Sequence, residues 1–169
     1  NIEFGSSNTL EAQAELAAYL MSEGLCHGAA LSTANSWDTH SGLSDQHSYY
    51  ETLFNGLQTL GQQLTSYGLI DETIVVVVSE MSRTPIMNSD NGKDHWSYTS
   101  ALLFGGGING GRVLGGTDET MAGHGINLND GSVDPNGAAL QYDQFVAGIL
   151  HAAGDDAETL LPNSEVLHG

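Results

Sequence analysis

The chain has 169 residues, the size of one domain burying roughly two-thirds of its unfolded surface, and a single cysteine, Cys26, excludes internal disulfides and multi-cysteine zinc sites. Twenty-one acidic residues stand against three basic ones, and the formal charge of −18 disfavours nucleic acid and anionic lipid as partners. No window approaches the roughly 20 apolar residues of a membrane span, and no signal peptide is visible; starting at Asn1, the chain reads as a processed or excised piece.

In chain order, residues 1–7 read as a tail. Asn8 with Glu11 three residues on has the form of a capping box, and the Ala/Leu-rich segment behind it predicts a helix to about Ser22, terminated by Gly24. Ala29 to Thr33 is short and apolar and predicts a strand. It leads into the polar run Asn35-Ser36-Trp37-Asp38-Thr39-His40-Ser41-Gly42. Ser44 is placed to cap a long helix in which Tyr50, Leu53, Phe54, Leu57, Leu60, Leu64 and Tyr67 keep a 3-4 spacing, so that one face would pack on a sheet before Gly68 ends it.

Thr73 to Val78 is an unbroken β-branched run, the pattern of a central strand covered on both faces. Strand, helix and strand in this order imply a right-handed βαβ unit, hence an α/β fold with a mostly parallel sheet. Parallel strands would bring Asp38 and His40, after the first strand, to the same sheet rim as Glu80, after the second. Asp94-His95-Trp96 precedes a further strand at Ala101 to Phe104. The glycines from Gly105 to Gly111 mean tight turns, since neither phosphate-loop pattern is followed by a helix in the required place. Val113-Leu114 makes at best a short edge strand. Residues 117–136 form a polar excursion, lid or plain loop, carrying Asp118, His124, Asp130 and Asp134. A last helix covers Tyr142 to Ala153 and stops at Gly154, leaving 157–169 as a tail.

Asp38, His40, Glu80, Asp94 and His95 are the candidate metal ligands. Hard oxygens mixed with imidazole suit Zn²⁺ first, with Mn²⁺, Mg²⁺ or Ca²⁺ as alternatives. The D-x-H spacing matters because residues two apart on an extended segment point the same way. Of the three cations, Arg83 and Lys93 lie in the loop between Glu80 and His95, where either would hold an anionic substrate oxygen or close a surface ion pair; Arg112 lies outside it. His47, one turn into the long helix, reads as an exposed helix position or a group supporting the ligands; His151 lies within the last helix, His168 in the tail, and His27 beside Cys26 reads as structural.

The succession SWDTHSG, a long helix, LIDETIVVVVSEMSRTP, GKDHW, SALLFGGGINGG and YDQFVAGILHAAG, over about residues 28–156, resembles the DUF1501 family of alkaline-phosphatase-superfamily proteins. The resemblance implies a three-layer α/β/α sandwich of alkaline-phosphatase type, spanning 1–169 as one domain or as the carboxyl-terminal part of one. It also implies an exported bacterial protein, periplasmic or extracellular. By the same resemblance Asp38, His40 and His95 take the roles of first-metal ligands, while Glu80 stands where the superfamily has an Asp-His pair. The superfamily's Ser, Thr or Cys nucleophile has no counterpart here. The expected function is a metal-dependent hydrolase of phosphate or sulfate esters, or the metal-holding half of one, acting on a small anionic ester. The alternative is a noncatalytic binding module. An exposed sheet edge would favour a homodimer or association with a missing amino-terminal half.

Overall fold

The computed structural model describes residues 8–168; the tail expected at 1–7 lies outside them. Two compact units emerge. One runs up to residue 73 and takes in 86–95; the other comprises 74–85 and everything from 96 on.

In the first unit, helix α1 spans Leu10–Ser22 and α2 spans Gln46–Ser66. Thr9, not Asn8, caps α1, its Oγ1 accepting from the Ala12 amide at 3.3 Å. Asp45, not Ser44, is the first residue before α2. Both helices end in the same way. Gly24 and Gly68 adopt left-handed φ of 65° and 72°, and the next amides reach back to Leu20 and Leu64. That six-to-one bond, which glycine permits without a Cβ clash, occupies carbonyls the helix leaves open. The two helices pack together through Leu10, Ala14, Ala17 and Ala18 of α1 and Leu60 and Leu64 of α2, all buried. Gly56 faces Leu10 at close range, since a Cβ there would run into the Leu10 side chain. The 3-4 apolar stripe of α2 therefore covers a helix, not the sheet the sequence leads one to expect. Its amino-terminal end keeps Tyr50 and Phe54 exposed.

The strand expected at Ala29 to Thr33 does not form. Its small side chains offer little to cover, and Ser32 satisfies its backbone on the Gln13 carboxamide instead, donating at 3.0 Å and accepting at 2.9 Å. With that strand missing, the described residues contain no βαβ unit.

In the second unit, β1 (Ile74–Val77) pairs antiparallel with β4 (Leu102–Gly105), Ile74 opposite Gly105 and Val77 opposite Leu102. Ser82–Arg83 (β2) and His95–Trp96 (β3) are two residues each, and no sheet among the described residues has more than two strands. The structure thus overturns the three-layer α/β/α sandwich with a mostly parallel central sheet. β1 is half-buried along its length and Val78 is 63% exposed, so the β-branched run is not a strand covered on both faces. The physical reason is that β-branched side chains favour extended backbone without specifying how many neighbours it has or their direction.

Helix α3 (Tyr142–Ala152) follows the sequence reading, with a capping box between Gln141 and Gln144 and Gly154 at its end. A short α4 (Ala157–Leu160), capped by Asp156, lies within the expected tail. The 117–136 excursion is folded on itself. Bridges join Thr117 to Gly123 and Ile126 to Val133, Ile126 is buried, and Asp118, Asp130 and Asp134 each accept from the amide two residues on. Arg112 donates to the Asp130 carbonyl at 2.7 Å and so belongs to this excursion. No helix of the described residues is long and apolar enough to cross a membrane.

Candidate metal centre

The segment carrying Asp38 and His40 is held by the residues between and before them. Trp37 packs edge-on against Tyr49 and Tyr50 of α2, centroids 5.5 and 5.1 Å away, and its indole N–H donates to the Thr33 hydroxyl at 2.9 Å. Thr39 is buried, and its Oγ1 accepts from the Gln46 carboxamide at 2.8 Å. Thr39 is buried while Asp38 is exposed and His40 half-buried, and a tight turn closes over Asp38 where the Thr39 amide donates to the Trp37 carbonyl at 2.9 Å. Asp38 and His40, two residues apart, do meet, but across this turn and not along an extended segment. His40 Nδ1 contacts Asp38 Oδ1.

The third side chain comes from far along the chain. Within residues 86–95 a turn closes as the Asn88 amide donates to the Gly92 carbonyl at 2.9 Å and the Asn91 amide to the Asn88 carbonyl at 3.3 Å, with Asn91 at a left-handed φ of 57°. The turn is then tied to the first segment, because the Lys93 amide donates to the Thr39 carbonyl at 3.1 Å. Two residues on, His95 reaches the cluster, its ring centroid 4.9 Å from that of His40 at an interplanar angle of 46°.

Asp38, His40 and His95 can each present one ligand atom, all within 4.8 Å of one another. Donors bound to a single zinc at about 2.0–2.2 Å in tetrahedral array stand close enough that this set fits after small side-chain adjustments. Two imidazoles and a carboxylate leave a fourth position for water or substrate, as in catalytic rather than structural zinc sites. The site is open, with Asp38 and His40 side chains 64% and 42% exposed. No cysteine is near it in sequence, and the Cys26 thiol is free and half-buried.

The remaining candidates fall elsewhere. Asp94 accepts from the Asn88 carboxamide at 2.9 Å. Glu80 accepts from the Ser79 hydroxyl at 3.3 Å and, like Arg83, belongs to the second unit. Lys93 lies on the turn that carries His95. A shallow depression along α2, lined by Leu57, Gln58, Gly61, Gln62, Thr65 and Ser66, involves none of the candidates. Sequence reasoning passed over Asn88 and Thr39 as site-building residues. Their only signal was position, Thr39 between two ligand types and Asn88 ahead of a glycine turn.

The DUF1501 sequence profile matches residues 5–165. The chain belongs to the DUF1501 family. That family is described as a protein of unknown function, and the match takes in every residue of the metal cluster. No curated protein and no solved structure matches the chain.

Proposed function

We propose that the chain is a metal-dependent hydrolase of phosphate or sulfate esters, or the metal-holding half of one. The observation that carries this reading is the convergence of Asp38, His40 and His95 within 4.8 Å. A divalent ion bound there would polarise an ester oxygen and lower the pKa of bound water. Asp38, His40 and His95 would hold it, and Lys93, on the turn that delivers His95, would face the ester's anionic oxygens. The choice of ester class draws on the likeness of WDTHSG and GKDHW to metal-ligand motifs of the alkaline-phosphatase superfamily.

The exposure of the centre favours a second reading, a metal-binding module without catalysis, because electrostatic catalysis gains most from exclusion of water. The adjacent Thr39 is buried and bonded to Gln46, which leaves no exposed hydroxyl between the two ligands. One experiment separates these readings. The purified chain is analysed for metal, then assayed with chromogenic phosphate monoester, phosphodiester and sulfate in the presence of Zn²⁺, Mn²⁺ or Mg²⁺. Hydrolysis that disappears in His95→Ala supports the enzyme. Stoichiometric metal without hydrolysis supports the module, and no metal uptake rejects both.

A further inference from the structure

One side chain in the first unit makes four hydrogen bonds and takes no part in the metal set. The Asn88 carboxamide donates to the His40 carbonyl at 3.0 Å and to Asp94 Oδ1 at 2.9 Å, while its oxygen accepts from the Asp90 and Gly92 amides, each at 3.0 Å. Two N–H groups and two lone pairs are all the amide has, so every position is used. The amide orientation is also fixed, because exchanging oxygen and nitrogen would set donor against donor and acceptor against acceptor.

These bonds divide into two functions. Oδ1 closes the turn within 88–92, a local Asx arrangement. Nδ2 bridges outward, to a residue 48 positions earlier that is itself a metal-ligand candidate. Gly92 makes the approach sterically feasible. A Cβ there would fall on the His40 carbonyl and 2.6 Å from that of Thr39. With the Lys93 amide bonded to the Thr39 carbonyl, the 86–95 turn is fastened to the backbone at Thr39, between Asp38 and His40, and at His40 itself. His95 is the last residue of that turn segment.

We propose that Asn88 is a positioning residue of the metal centre: its carboxamide clamps the 86–95 turn onto the His40 backbone and thereby sets His95 at ligand distance from Asp38 and His40. The inference rests on the metal reading above and extends it from the ligands to what places them. Without the clamp the turn keeps the Lys93–Thr39 bond, but His95 is held less firmly and the ion depends more on Asp38 and His40. Outer partners that orient metal ligands typically matter by 10–100-fold in affinity.

The test is a double-variant cycle read by zinc affinity on the full chain, with the visible spectrum of bound Co²⁺ as a geometric readout. Asn88→Ala should weaken zinc binding by roughly 10–100-fold and shift the Co²⁺ spectrum toward that of His95→Ala. In the His95→Ala background, removing Asn88 should change zinc affinity by less than about twofold, because a residue acting through His95 has nothing left to act on. Should Asn88→Ala fail to fold, Asn88→Ser serves, since its hydroxyl still serves the turn amides but is too short to reach His40 and Asp94. Zinc binding by the parent with Asn88→Ala or Asn88→Ser equally tight overturns the inference and leaves the metal site standing. Additive losses in the cycle overturn it as well, showing a structural role independent of His95. Absence of zinc binding by the parent removes the metal reading, and this inference falls with it.

Discussion

The imidazoles of His40 and His95 lie with ring centroids 4.9 Å apart, one on the segment ahead of α2 and the other at the end of the 86–95 turn. Asp38 completes the set. Loss of either histidine should weaken zinc binding by more than the roughly 10–100-fold attached to an orienting partner. Isothermal titration of parent, His40→Ala and His95→Ala checks this, and an unchanged affinity in either variant would place the ion elsewhere. At a hundredfold excess over Kd, bound zinc should add about 2.7 kcal/mol to the parent's stability, seen as a melting point that falls on chelation.

Two glycines of α2 should respond to alanine with opposite signs. Nothing lies within 4 Å of a Cβ built on Gly61, so Gly61→Ala gains helix propensity and should stabilise by about 0.5–1 kcal/mol. At Gly56 a Cβ meets Leu10, including its Cβ at 2.8 Å, so Gly56→Ala should destabilise by about 1–3 kcal/mol. Denaturant midpoints of the two variants against the parent decide the matter.

Gln13→Ala should loosen residues 28–33, whose backbone is held through Ser32 by the two Gln13 bonds. At net contributions of about 0.5–1.5 kcal/mol per hydrogen bond, and with both exposed to water, a loss near 1 kcal/mol is expected. Hydrogen exchange at the Ser32 amide should accelerate in step; unchanged protection would mean another group holds the segment.

The carboxyls of Asp118 and Asp130 are held below the ordinary 3.8, first by the hydroxyls of Thr120 and Ser132 and then by backbone amides. A folded-state pKa below the unfolded one means that the unfolded chain binds more protons between the two values. The stability these groups supply is present above about 3.8 and lost as pH falls through their folded pKa. Melting curves from pH 7 to 3 should therefore drop less steeply at the acid end for Asp118→Ala than for the parent. Parallel curves would show that the Asp118 turn does not contribute to acid sensitivity.

Much of this protein was legible because the causes are local. Helices α1, α2 and α3 follow from apolar spacing and from glycines that end them, and β4 differs from its predicted span by one residue at each end. Family membership and the closeness of Asp38 to His40 were also readable, although a turn at Asp38, not extended backbone, brings the two together.

What the tertiary structure decided is everything that depends on distant neighbours. Whether Thr73 to Val78 became a central parallel strand or half of a two-strand antiparallel sheet depended on which segments had better partners, and Ser32 found one in Gln13. The fold class expected from local pattern failed at that step. The arrival of His95 beside His40 rests on bonds between residues dozens of positions apart, on the carboxamide of Asn88 and on the missing side chain of Gly92. A sequence encodes such contacts only jointly, so composition and periodicity could name candidate ligands but not bring them together.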